Sequence, residues 1–543
     1  MNPWLLGQNT IGLLAYDPEL TTDGYMLFQP IEQGSIFLVN PCGQLVHEWP
    51  DDLYTTGAGF RFMDNGDIMR TAVATSNPAF VAGGSGHVVQ RKDWSNNVVW
   101  QFAYSTPQVC MHHDIDVMPN GNVLIIAWEK KTLAEAISEG FDATSYAHNE
   151  IWPDHIIEVM PTGPNTGEIV WAWYAWDHLI QDHDPGLPNY GVVADHPELI
   201  DLNFIPVGIP DWQHFNAIYY DPELDLILLS SPFNNELWVI DHSTTTEEAA
   251  GHTGGNFGMG GDLLYRWGNP AAYGRGGQQD QTLFFNHNTR WLGPGLNEDD
   301  PDRGKIMVFN NRAGGGNNYS AVDIITPPMD ENGGFILEEG AAFGPIQYDW
   351  RYATEVPTEF FSPIMSSAQK LRDGNVLVCA SRQGWMFQIT YSGEVVWSYR
   401  NPIINGIPQP QGIITTEEGW PFMAEWLEPD HPGLADKVLV PVGYLELDPV
   451  PLPPCDFPTQ ADGVPSVAGD LQILGNLVVD QIVIQSANET PYRIFNALGG
   501  MVRSGTLGTG RTTLGLNGLS TGSYVLVEGN ERPAMHRFHI VSQ

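Results

Sequence analysis

One recurring phrase limits this chain to a small set of folds: a turn carrying Gly or Asn, a short run of Val, Ile and Leu, and a closing aromatic residue, most often Trp. It reads GQLVHEW at 43–49, NNVVWQF at 96–102, GEIVWAW at 167–173, GDLLYRW at 261–267 and GEVVWSY at 393–399. A companion phrase keeps it company: NGDIMR from Asn65, NGNVLIIAW from Asn120, DLILLSS from Asp225, GKIMVFN from Gly304 and DGNVLVCAS from Asp373. Each pair has the length, turn residues and alternation of two neighbouring antiparallel strands. Repetition of such pairs with long insertions predicts an all-β chain built as a six-bladed β-propeller, in which each sheet buries its faces only against its neighbours. The 58 Gly and 41 Pro agree with many short strands joined by turns.

The insertions at 132–156 and 176–210 are too long for hairpin turns and are expected on one rim, where such folds carry their sites. Residues 132–139, TLAEAISE, are the best helical segment. The texture changes after Leu447. The reading assigns 1–447 to the propeller, 448–467 to a stiff Pro-rich linker and 468–543 to a small β-sandwich of short alternating strands.

Charge narrows the partners. Against 65 Asp and Glu stand 23 Lys and Arg, a formal charge of −42, so phosphate backbones and anionic lipid surfaces would be repelled. The 18 Trp exclude a disordered acidic chain. No apolar run reaches the length of a membrane-spanning helix. The start, MNPWLLGQNT, lacks the features of a secretory signal, so the chain is either cytoplasmic or numbered from near a mature N-terminus. The cysteines Cys42, Cys110, Cys379 and Cys455 have no metal-type spacing, and Cys42 with Cys110 is a candidate disulfide.

Three histidines lie at the starts of expected inner strands: His113 in HHDIDV, His214 in DWQHFNAI and His287 in FFNHNTRW. Inner strands of different blades line one channel, so these rings are placed to converge. A histidine beside Asp114 on a buried strand is, however, ordinarily a satisfied hydrogen-bonding residue. Three imidazoles and a water also suit catalytic zinc, although nothing in the spacing demands a metal. His155, His178, His183, His196, His242 and His252 fall in expected loops, with solvated or capping roles. The Gly-rich stretches GGSGH and RAGGG lack the strand and helix of a phosphate cradle and read as turns. No G-x-S-x-G or H-E-x-x-H is present.

The motifs GYMLFQP, VNPCGQLVHEW, CMHHDIDVMPNGN, DWQHFNAI, WVIDHSTTTEEAAGHTGG, LLYRWGNP and AQKLRDGNVLVCASRQGWMFQIT together resemble the bacterial aryl-sulfate sulfotransferase family over about 10–405. The resemblance implies a six-bladed propeller that moves a sulfuryl group between phenols through a sulfohistidine, without a nucleotide donor or other cofactor or metal. By motif, His287 matches the nucleophile and His113 and His214 the supporting histidines. The sequence departs from the pattern at two places: Pro232 and Phe233 stand where members carry an Arg, and the nucleophile motif reads Asn286, His287, Asn288 and Arg290. Arg290 or Arg312 is then expected to supply positive charge, and Trp128, Trp212, Trp291 and Phe285 to be available for stacking on a phenol.

The tail, with YRIFNALGGMVRSGTL and LSTGSYVLVEGN, resembles the C-terminal sorting domain of type IX secretion in the Bacteroidetes. That implies a secreted or cell-surface protein, a leader already removed, and the secretion machinery as a partner. Two other readings stand beside the transferase: a non-catalytic propeller binding glycans or a protein, and a metal-dependent hydrolase using the histidines.

Overall fold

The two phrases take fixed places in the structure, which corrects the expectation that they pair as neighbours: the companion phrases form the second strand of a four-stranded meander and the Trp-bearing phrases the fourth, with a third strand of less regular sequence between those positions. The computed structural model describes residues 9–51, 53–74, 77–204, 208–293, 295–315, 318–412 and 419–455, and beyond them 471–473, 477–478, 481–486, 489–496, 501–519, 522–528 and 534–540. Contacts divide the chain into two units, Met1–Pro458 and Thr459–Gln543.

Among the described residues the first unit contains six such meanders, all antiparallel. Sheet one is Thr55–Phe62, Ile68–Val73, Val88–Lys92 and Val98–Ala103; sheet two is Val109–Val117, Val123–Glu129, Asp154–Gly163 and Thr166–Tyr174. Sheet three is Ala217–Asp221, Leu226–Ser231, Glu236–Asp241 and Tyr265–Trp267; sheet four is His287–Leu292, Lys305–Asn310, Ala321–Ile325 and Trp350–Tyr352. Sheet five, Ser367–Lys370, Val376–Ala380, Trp385–Ile389 and Val395–Arg400, gains Gly12–Tyr16 as a fifth strand. Sheet six begins with Pro421–Leu427 and is completed from the other end of the chain by Tyr25–Pro30, Ser35–Val39 and Gln44–Pro50, with Gly443–Tyr444 outside. The first strand of each sheet touches the first strand of the next, and that of sheet six touches that of sheet one.

The repeated Trp has a physical task. A buried indole N–H needs an acceptor, and each fourth-strand Trp finds one on a neighbouring sheet or the segment leading to it. Trp49 donates to the Asp93 carbonyl, Trp100 to Thr166, Trp173 to Gly261, Trp267 to Pro345, Trp350 to Tyr391 and Trp397 to Pro41, at 2.7–3.1 Å. The ring thus packs sheet against sheet while its N–H ties the two backbones. Second strands such as Leu226–Ser231 are buried along their whole length, because sheets cover both their faces; hence their unbroken apolar runs.

The helical expectation at 132–139 matches Leu133–Ser138, where Thr132 caps the first turn and Glu135 closes a capping box. No helix among the described residues is long and apolar enough to cross a membrane. In the second unit, Leu471–Ile473, Gln481–Ser486 and Gly510–Gly515 form one sheet, and Leu477–Val478, Ala534–Ile540, Gly522–Glu528, Thr490–Asn496 and Met501–Leu507 another, with Ile482, Ile484, Ile494, Leu507 and Leu526 in one apolar cluster. Residues 456–470, most of the expected linker, lie outside the described residues.

The cysteine expectation is corrected. Cys42 bonds Cys455, with Cα atoms 5.5 Å apart, and Cys110 is a buried free thiol facing the Gly86 carbonyl. Cys42 sits in the tight turn between two strands of sheet six, and the chain returns to that turn only after closing all six sheets, a neighbourhood that local spacing does not reveal. Because the bridge closes 413 residues of sequence, its loss should destabilise the first unit by about 2–4 kcal/mol. In thermal melts, reductant should lower the midpoint of the wild type and leave a Cys42→Ser variant, already lower, unchanged.

Candidate active site

The first strands of three sheets break their regular ladder near the candidate histidines. The pairing slips between Thr56 and Phe60 in sheet one, opposite His112–Asp114 in sheet two, and between His287 and Arg290 in sheet four. Bulges of this kind turn side chains out of the pleat and gather near sites. His113, His214, Phe285, Asn288, Met365 and Ser366 all have φ between 47° and 87°. Non-glycine residues in this region store strain that the surroundings must hold.

These turns bring imidazoles together. The His113 and His214 rings meet edge to face with centroids 4.5 Å apart, and His112 Nδ1 lies 2.8 Å from His113 Nδ1. His287 and His113 flank the same Phe422 ring, at 6.1 and 5.9 Å. Gly84, in the stretch read as a simple turn, is pressed against the His113 ring so closely that a Cβ there would overlap it, and its carbonyl accepts the His113 N–H at 2.8 Å.

The three histidines differ in protonation. Burial pulls His287 down to about 3, with His214 and Arg312 adding to the effect, so it is neutral at all ordinary pH. Its Nδ1 lies 2.8 Å from the Asn311 side-chain oxygen, whose own amide donates to the Ser362 and Met365 carbonyls. The proton therefore sits on Nδ1 and the lone pair on Nε2, where the Met365 N–H donates to it at 3.1 Å. Burial also lowers His214, but the Asp211 carboxylate on its Nδ1 holds it above the ordinary value. His113 is buried among the other imidazoles and driven well down.

Behind His113 and His214 lies a layer of which the sequence reading singled out only Trp128, and that for stacking on a phenol. His112 stacks on Trp128 at 3.8 Å, with its Nε2 2.7 Å from Asp154 Oδ1, and burial drives both His112 and Asp154 toward their uncharged forms. The Trp128 indole N–H donates to Asp211 Oδ1 at 2.9 Å. Trp128 is thus fully buried and supports the histidines instead of facing a ligand. Trp212 and Trp291 are likewise buried in apolar clusters.

Above His214 opens a cavity of about 210 Å³ lined by Asp211, His214, Phe233, Trp152, Ile209 and Val81 together with their neighbours. Since roughly 150 Å³ accommodates a benzene, it has room for one substituted ring. Phe233 stacks on His214 at 4.6 Å. Trp152 lies in the first long insertion and Asp211 directly follows the second, and the two insertions pair where the Trp152 backbone N–H donates to the Pro210 carbonyl at 2.7 Å.

The two candidate arginines part company. Arg312 lies over the Phe285 ring at 4.2 Å, donates through Nε to the Pro363 carbonyl, and acts electrostatically on His287. Arg290 instead acts on Glu425 and Tyr219, beside the Arg61–Asp114–Asp116 ion pairs, and does not join the imidazoles. His155 and His178, expected in solvated loops, are both buried: the first bonds the Tyr104 hydroxyl and the second Asp262.

No curated protein matches the chain significantly. Among solved structures, it is similar to a protein of unknown function from Bacteroides caccae, with 12% identity over 74% of this chain and 98% of that one and a TM-score of 0.39. It is also similar to a streptogramin B lyase, with 12% identity over 65% and 71% and a TM-score of 0.30, and to a putative 6-phosphogluconolactonase from Bacteroides fragilis, with 10% identity over 76% and 100% and a TM-score of 0.35. At these scores the likenesses carry no argument. The Arylsulfotransferase (ASST) model, by contrast, matches residues 17–400, which include every sheet-forming motif from Tyr25 to Arg400 and all the imidazoles described above. The chain belongs to the arylsulfotransferase family.

Proposed function

We propose that this protein transfers a sulfuryl group from an aryl sulfate to a phenol through His287, on a six-bladed propeller whose channel mouth holds the site. The propeller reading is supported by the cyclic contacts of the six first strands and by the Trp ties between sheets. The observation that carries the chemistry is the opposite displacement of two neighbouring imidazoles. His287 is held neutral with its lone pair on Nε2, and His214 is held toward its protonated form by Asp211. Groups whose environments push their proton affinities apart divide the roles of nucleophile or base and acid between them.

In the first half-reaction His287 Nε2 attacks sulfur, the S–O bond to the phenol breaks, and His214 Nε2–H protonates the departing phenolate. The imidazole bearing sulfuryl keeps its Nδ1–H on Asn311. In the second half, the acceptor phenol gives its proton to His214 as its oxygen attacks sulfur and the S–N bond breaks, restoring both histidines. The Met365 N–H must release Nε2 for attack and is then a donor beside the sulfuryl oxygens; Arg312 adds positive charge near His287. Trp152 and Phe233 flank the space for the aromatic ring.

The test is release of a chromogenic phenol from an aryl sulfate, with and without a phenol acceptor, together with mass spectrometry for a protein adduct of one sulfuryl group. Absence of acceptor-dependent release and of any adduct would sink the reading. It would leave the second one, a binding propeller, which the capped Nε2 of His287 and the Phe233 ring over His214 favour; that reading expects a retained aromatic or glycan ligand without an adduct.

An Asp211→Asn substitution should lower the proton affinity of His214. The acid form of a raised histidine persists above its ordinary range and is lost as pH rises through the folded-state value. The alkaline limb of activity on donors with poor leaving groups should therefore move about one or more pH units downward. An unmoved limb would remove His214 from the acid role. We further propose export, with the second unit as a small β-sandwich read by a type IX secretion system; the Cys42–Cys455 bridge fits an oxidising compartment. A secreted reporter fused to 459–543 tests this.

A further inference from the structure

We propose a transition-metal site of the zinc class, separate from the imidazoles that carry the transfer chemistry, formed by His178, His252 and Asp262. Their ligand atoms, one ring nitrogen each from His178 and His252 and a carboxylate oxygen of Asp262, lie within 4.8 Å of one another. Both Nδ1 atoms stand 2.8 Å from the same oxygen, Asp262 Oδ1. Zinc bonds of about 2.0–2.1 Å in tetrahedral geometry set donors about 3.3 Å apart, a spacing these separations straddle. A small outward shift of the two rings would admit the ion.

The hydrogen-bond arithmetic of His178 points the same way. Its Nε2 lies 2.9 Å from the Ala249 carbonyl and its Nδ1 2.8 Å from Asp262, and both partners are acceptors. A neutral imidazole has one N–H, so in that form one nitrogen opposes an oxygen, lone pair to lone pair. A cation between Nδ1 and the carboxylate resolves this with Nε2–H donating to Ala249. That is the usual outer-shell arrangement of a metal-bound histidine, with its second nitrogen tied to a backbone carbonyl. His178 is buried and fixed, stacked nearly parallel on Trp173 at 5.5 Å. The His252 side chain is 59% exposed, which gives an ion access and leaves a coordination position to water.

The chain is built to make this approach. His178 follows sheet two, while His252 and Asp262 belong to the Gly-rich segment between the third and fourth strands of sheet three. Gly261 packs against the Ala249 carbonyl and the His178 ring where no Cβ fits, and Gly260 has a φ of 60°. An ion there would tie that segment to sheet two, beside the Trp173 N–H bond to the Gly261 carbonyl.

The experiment strips the full-length protein with EDTA, then titrates it with zinc chloride alone, reading bound metal by elemental analysis and stability by thermal melt. About one tight equivalent and a raised melting midpoint are expected for the wild type and equally for His287→Ala, since the transfer site is not involved. His252→Ala, at an exposed position that leaves folding intact, should bind at least about tenfold more weakly and lose the thermal gain. Cobalt loaded in place of zinc should give visible absorption in the wild type that His252→Ala lacks. No tight equivalent in the wild type, or equal binding by His252→Ala, overturns the proposal whatever becomes of the transferase reading.

Discussion

A His287→Ala variant is expected to lose at least about a thousandfold in kcat on every aryl sulfate, with no sulfuryl adduct, because removing a nucleophile abolishes the covalent route itself. His214→Ala should behave differently. A nitrophenolate leaves without a proton, so His214→Ala should keep most activity on such donors and lose it steeply on donors whose phenols are weak acids. The contrast in leaving-group dependence separates the roles in a way that a merely structural defect would not reproduce. If His287→Ala still forms the adduct, the nucleophile is another imidazole, and His214, which borders the cavity, is the one to examine. Folding of each variant is checked by its melting midpoint, since His287 is buried and its neighbours Asn311 and Met365 lose partners with it.

The second large effect concerns stability. Glu236 and Arg266 are both wholly buried, and the guanidinium donates to both carboxylate oxygens while also serving the Leu199 carbonyl and stacking on Tyr273. Glu236→Ala leaves a cation in the interior without its counter-charge, at a cost of about 3–5 kcal/mol. Replacing both partners by apolar residues of similar volume should recover most of that loss, since the penalty arises from the unpaired charge and not from the absence of a salt bridge. The measurement is the shift in urea midpoint of the first unit. A loss below about 1 kcal/mol in Glu236→Ala would mean that water reaches Arg266. The pair matters to the site because the Glu236 carbonyl accepts from Asn286, the residue before His287.

Much of the fold was legible because its determinants are local. A turn residue, an apolar run and a terminal Trp recur in one segment, and each copy folds into the same position of its sheet. Trp350 escaped notice only because its strand, Trp350–Tyr352, is too short to display the phrase. The histidines His113, His214 and His287 were identifiable from their places within or next to the first strands of sheets two, three and four, together with the family motifs, although only His287 begins its strand. Arg290 and Arg312 could not be told apart in the same way. They differ by which side of a bulge in the first strand of sheet four, or of the turn after the second, their side chains leave. A bulge reverses the alternation that any sequence argument relies on.

The layer behind the imidazoles was hidden for a related reason. Trp128 was identified as an aromatic near the site, but nothing in its flanking residues tells whether it faces a ligand or His112. Asp154 and Asp211 were two among 65 carboxylates, and only their burial beside His112 and His214 distinguishes them. Cys455 pairs with Cys42 across almost the whole length of the chain, and the His178–His252–Asp262 group joins residues of two sheets.

The sequence by itself determined the β class, the recurrence of its strands and the family, because strand propensity, turn chemistry and repeated phrasing are properties of short segments. Tertiary structure alone decided the protonation of His214 and His287, the side on which each arginine lies, the disulfide partner and the meeting of distant ligands. Those properties depend on burial and on distances between segments far apart in the chain, and neither quantity is written in local pattern.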